Sequence, residues 1–164
     1  MSGAPEPDGE DLLREATAMP ERLELRISDG VWIVGRRRGG GVSLFGEPMV
    51  LQFNAQLEVR RAFWRGARMK AEGAELHWMR REQPRGPLRF IVAPLSLAEL
   101  EAFFADARAA LCALTAELSL LADADTPPAT LIAPEPRQFL DELRAWSAAI
   151  LANPLRIAAR PNAQ

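Results

Sequence analysis

The sequence predicts an α+β fold, in which an antiparallel β-meander of about seven short strands packs against a long helix and a second, C-terminal helix. Three observations predict it. Between Glu21 and Val92 apolar and polar residues alternate in short runs separated by turn residues. From Leu97 onward the apolar spacing changes to three and four, the period of a helix. The 164 residues, 48% hydrophobic and 26% charged, suffice for a single domain with its own core.

Residues 1–9 are polar, carry Pro5 and Pro7, and are expected to form a loose tail, as is the stretch from Arg160 to Gln164. A short helix over 10–19 follows, with Asp8 placed to cap it, Leu12, Leu13 and Ala16 on its apolar face, and Pro20 as its stop. The meander occupies 21–92. Leu23, Leu25 and Ile27 alternate with Arg22, Glu24 and Arg26, the mark of a half-buried strand. Ser28-Asp29-Gly30 then supplies a hairpin turn, because Asp-Gly tolerates the positive φ that such turns need.

Val31 to Arg37 returns along it, and Gly39 to Gly41 make the next turn. Val42 to Phe45 and Met49 to Phe53 are separated by Gly46-Glu47-Pro48, and Leu57 to Trp64 ends at Arg65-Gly66-Ala67. Arg68 to Glu72 turns at Gly73 into Glu75 to Arg81, and Leu88 to Val92 follows the loop from Pro84 to Pro87. Consecutive tight turns imply antiparallel pairing, since parallel strands need long crossovers. A sheet of this kind keeps one face wet and buries the other. Something must cover it.

The long helix over 96–122 provides the cover. Ser96-Leu97-Ala98-Glu99 is a capping box, in which Ser96 and Glu99 satisfy free backbone donors at the helix start. Leu97, Leu100, Phe104, Ala107, Leu111, Leu114, Leu118 and Leu121 recur at heptad spacing, and Phe103 and Cys112 widen the stripe. The width favours packing within the chain, with Cys112 as a small buried thiol; a coiled-coil contact with another copy is the alternative. Residues 123–134 form a linker containing Pro127 and Pro128. A helix over 136–152 sets Phe139, Leu143, Trp146 and Ile150 on one face.

Charge is unevenly spread. Met1 to Glu21 has a net charge of −5, Arg22 to Phe90 of +7, and Ile91 to Gln164 of −4. The sheet is therefore basic and its flanks acidic. Arg60, Arg61, Trp64, Arg65, Arg68, Lys70, Arg80 and Arg81 form the candidate binding surface, since arginines hold phosphates while an aromatic face can stack on a base. Against that, 19 arginines to one lysine is the skew of a GC-rich genome, and a pI near 5.6 is far from that of a basic binding domain. Strand alternation also assigns Trp78 to the core with Leu76.

Catalytic and metal chemistry find little support. His77 is the only histidine and Cys112 the only cysteine, too few for a zinc site. His77 is expected at the surface beside Glu75 and Met79. Gly35-Arg36-Arg37-Arg38-Gly39-Gly40-Gly41 lacks the Gly-Lys-Ser/Thr ending of a phosphate loop and opens no helix, so it reads as a solvated turn. No cofactor is implied. The absence of a signal peptide or a long apolar run leads to the expectation of a cytoplasmic protein with no membrane partner.

The segment from Gln52-Phe53-Asn54-Ala55-Gln56-Leu57-Glu58-Val59-Arg60-Arg61-Ala62-Phe63 to Lys70-Ala71-Glu72 resembles a stretch in uncharacterised bacterial proteins. The resemblance implies no activity and adds no site. The function expected is non-enzymatic binding of a protein partner, a second copy of the chain included. RNA or DNA binding through the arginine-rich strands is the first alternative, and a small molecule held between sheet and helix the second.

Overall fold

Alternation along the chain places side chains on two faces of one sheet, and the buried face decides the architecture. The computed structural model describes residues 9–27, 30–46, 49–73, 75–83, 85–87, 89–123 and 130–158. Helix α1 (Gly9–Thr17) precedes eight strands: β1 (Glu21–Ile27), β2 (Gly30–Arg36), β3 (Val42–Phe45), β4 (Met49–Phe53), β5 (Val59–Trp64), β6 (Ala67–Glu72), β7 (Glu75–Arg81) and β8 (Phe90–Pro94). Helix α2 (Leu97–Ala122), strand β9 (Leu131–Ile132) and helix α3 (Pro136–Leu151) complete the chain. Among the described residues the sheet has nine strands rather than about seven, because all eight runs of the meander form strands and one more joins them. The order is β8-β7-β6-β5-β4-β3-β2-β1-β9, and every pair is antiparallel.

The ninth strand comes from the expected linker, where Leu131 and Ile132 pair with Leu23 and Arg22 and close the β1 edge. Two residues carry no readable alternation. The last meander strand sits two residues beyond its expected position, and the fifth begins at Val59 rather than Leu57. Asn54 explains the later start. Its side-chain oxygen accepts from the backbone N–H of Gln56 and Glu58, which folds 54–58 into a turn with Leu57 at φ 64°. Asp8 as a cap, the turn residues Ser28, Asp29, Glu47 and Pro48, and Pro127 and Pro128 of the linker lie outside the described residues.

One face of the sheet carries the main core. Leu23, Val34, Leu44, Leu51, Phe53, Ala62, Met69 and Leu76 meet Phe103, Ala107, Leu111, Leu114 and Leu118 of α2 and Phe139, Leu143 and Trp146 of α3. The α2 line through Phe103 drifts from the heptad seam, since a straight helix turns in 3.6 residues, not 3.5. Leu97 is exposed at the start of the helix, and Cys112, well off the buried line, points to solvent against the expected burial of the thiol. Edge-to-face ring pairs lock the layers: Trp64 on Phe103 and Phe53 on Trp146, each with centroids 5.5 Å apart. Arg36 ties β2 to α3 through Glu142, whose carboxyl is held below its usual range first by that guanidinium.

Among the described residues, the other face is covered in one place only. Helix α1 lays Ala16, together with Met19 just beyond it, on Ile33 and Phe45 of β2 and β3. The rest of that face, across β5 to β8, has no helix above it among the described residues.

Candidate functional site

Strand register fixes which residues share the open face. One cross-strand row runs Ser43, Gln52, Arg61, Lys70, His77 and Pro94 from β3 to β8. The adjacent row runs Phe45, Val50, Phe63, Arg68, Met79 and Val92. Arg81, opposite Phe90, has the same facing. The open face is thus a basic row beside a mostly apolar one.

Of the eight residues proposed from the sequence, the structure gathers Arg61, Arg68, Lys70 and Arg81 on this face. Arg60 occupies the irregularity opposite Gln52 and Phe53 and is exposed. The other three face the helices. Trp64 is 4% exposed, and its indole N–H donates to Asp106 of α2 at 2.7 Å. Arg65, at φ 49° in the two-residue turn with Gly66, donates to the same carboxylate at 3.1 Å and lies 4.6 Å from the Trp64 ring centroid. Arg80 lies 4.8 Å from the ring of half-buried Trp78. Trp64 is therefore a packing residue and is not available to stack on a base. Parity carried that signal, since Ala62 and Trp64 must share a face opposite Arg61 and Phe63.

His77 is less open than expected. It sits between Glu72 and Glu75, with Nδ1 3.7 Å and Nε2 3.9 Å from their carboxylates.

Two features escaped the sequence. The first is a groove of about 320 Å³ between α1 and the open face, with Glu15, Arg37, Arg38, Ser43 and Gln52 among its polar lining. Arg37 donates to the Phe53 carbonyl at 2.6 Å. Its guanidinium is held below its usual range by burial and then by the like charges of Arg60 and Arg61, while Glu15 opposes them. The second is the edge of β8, which no other strand among the described residues pairs. The Leu95 N–H donates to Leu76 and the Arg89 carbonyl accepts from Glu82, so 89, 91, 93 and 95 turn their backbone groups toward β7. Phe90 and Val92 turn theirs outward. Ile91 is 44% exposed, Val92 55%, and Leu97 just beyond is 73% exposed.

No helix among the described residues is long and apolar enough to cross a membrane. Comparison with protein-family models, curated proteins and solved structures returned no match.

Proposed function

We propose that the protein is a protein-interaction module that recognises a second copy of itself by extending its sheet through β8. The observation that carries this reading is an uncharged five-residue edge strand with outward backbone groups and uncovered Ile91 and Val92 side chains. Such an edge is a template for another strand. The opposite edge differs, since β9 has two residues.

Antiparallel pairing about Val92 satisfies the geometry. The two Val92 residues exchange two hydrogen bonds, and each Phe90 N–H donates to the partner's Pro94 carbonyl. Pro94 lacks a donor, so each Phe90–Pro94 pair contributes one hydrogen bond rather than two. The row of Phe63, Met79 and Val92 then continues across the two-fold axis. An interface of this size falls at the low end for specific complexes, so a reversible dimer is expected.

Sedimentation velocity over a concentration series tests it. Wild type should shift toward a dimer as concentration rises, whereas Val92→Lys and Val92→Pro should remain monomeric. Val92→Pro is the sharper variant, because it deletes an outward donor and leaves the β7 ladder intact. A wild-type monomer throughout, or an undiminished dimer in Val92→Pro, would contradict pairing through β8.

Nucleic-acid binding is the weaker reading. Arg61, Arg68, Lys70 and Arg81 favour it, but Trp64, the candidate aromatic, belongs to the helix side of the sheet together with Trp78.

A further inference from the structure

The groove under α1 has the build of a ligand site. Its wall is Leu12 and Met19, its floor Phe45 and Val50, and its polar end Arg37 and Arg38 from the β2–β3 turn. On the floor Ser43 is 5% exposed, and its hydroxyl has no hydrogen-bond partner among the described residues. A buried unpaired hydroxyl is costly, and a bound acceptor removes that cost. Arg37 has a second such atom, its Nε. One of its Nη atoms already serves the Phe53 carbonyl, so it is anchored with donors to spare.

The charge balance selects the ligand. Two guanidiniums line the groove, Arg60 and Arg61 add positive potential, and Glu15 is the acidic residue in the lining. Glu15 is itself 3.9 Å from Arg61. A cation would meet net repulsion, whereas an anion meets forked donors with an apolar wall behind them. The volume equals about ten waters at ~30 Å³ each, which matches a short-chain amphiphile.

We propose that this groove binds a small amphipathic anion, a carboxylate or phosphate monoester with a short apolar chain. The head sits against Arg37, Arg38 and the Ser43 hydroxyl, and the chain lies along the apolar lining of Met19, Phe45 and Val50.

The test is a titration of ¹³C-methyl-methionine protein with octanoate, octyl phosphate, octanol and octylammonium, reading the Met19 methyl by NMR. A saturable Met19 shift with octanoate or octyl phosphate is expected, and the tighter of the two names the head group. Octanol and octylammonium should bind at least about tenfold more weakly, the usual weight of a charge-assisted contact. Arg37→Ala could fail to fold, since it frees the Phe53 carbonyl, so the variants are Arg38→Ala and Ser43→Ala. Neither group has a hydrogen-bond partner among the described residues; each variant should weaken the anion several-fold, and Arg38→Ala should leave octanol unchanged. Octanol binding as tightly as octanoate would reduce the groove to an apolar cleft and overturn the proposal. So would no saturable shift with either anion, or unchanged anion affinity in both variants.

Discussion

Asp106 shows how one side chain can decide what its neighbours do. Its carboxylate receives the Trp64 indole and the Arg65 guanidinium together, so the helix α2 claims two residues that strand composition alone would offer to a ligand. Replacing Trp64 with Phe keeps the ring contact to Phe103 but loses that hydrogen bond. The cost expected is about 1–2 kcal/mol in urea unfolding, at the upper end because the acceptor is charged. Ser96 and Glu99 act on the same helix from its start. The Ser96 hydroxyl accepts from the Glu99 N–H, and the Glu99 carboxylate accepts from the Ser96 N–H, which is the first cause of its lowered pKa. A carboxyl depressed in the folded state stabilises above its unfolded pKa, and that contribution is lost as pH falls through the folded value. Thermal melts from neutral to acid pH should therefore show Glu99→Gln losing part of the acid sensitivity of wild type. Ser96→Ala should cost about 1 kcal/mol.

At the scale of elements, strands were legible where side chains alternate and turns announce themselves. The Arg65-Gly66 turn has φ of 49° and 77°, the positive values that a two-residue hairpin needs. Strand β9 was not legible, because two residues paired to distant Arg22 and Leu23 leave no local period. The groove was equally hidden. It exists only because α1 folds over β2 to β4, a long-range contact that no spacing encodes. Cys112 was misplaced by widening the stripe, since the buried line of α2 keeps to Phe103, Ala107, Leu111, Leu114 and Leu118, and Cys112 falls well outside it. Gly46 marks another contact of this kind. A Cβ there would enter the buried Trp32 ring, so β3 can leave the sheet at this point only without a side chain. Gly46→Ala should destabilise by about 1–3 kcal/mol or more, read by chemical denaturation, with Trp32 fluorescence reporting the displaced ring.

For the molecule as a whole, helices on one face and a short helix on the other leave the open face of β5 to β8 without a helix above it among the described residues. The basic segment seen in the sequence maps onto it, but only in part: Arg61, Arg68, Lys70 and Arg81 lie there, while Trp64, Arg65 and Arg80 serve the helix side. A net charge of −2 and the inward tryptophans argue against strong nucleic-acid affinity. Fluorescence-anisotropy titrations with single-stranded RNA, single-stranded DNA and duplex DNA should show no saturable binding at physiological salt. Micromolar binding that falls steeply with salt and is lost in Arg61→Ala/Arg68→Ala would move the assignment to nucleic acid. Pairing through β8 is tested most directly by residue-resolved amide hydrogen exchange at low and high protein concentration. Ile91 and Ala93, bonded toward β7, should be protected alike at both. Phe90 and Val92 should exchange quickly when dilute and gain protection together as concentration rises. Val92 exchanging equally fast at every concentration would contradict the edge as the site of self-recognition.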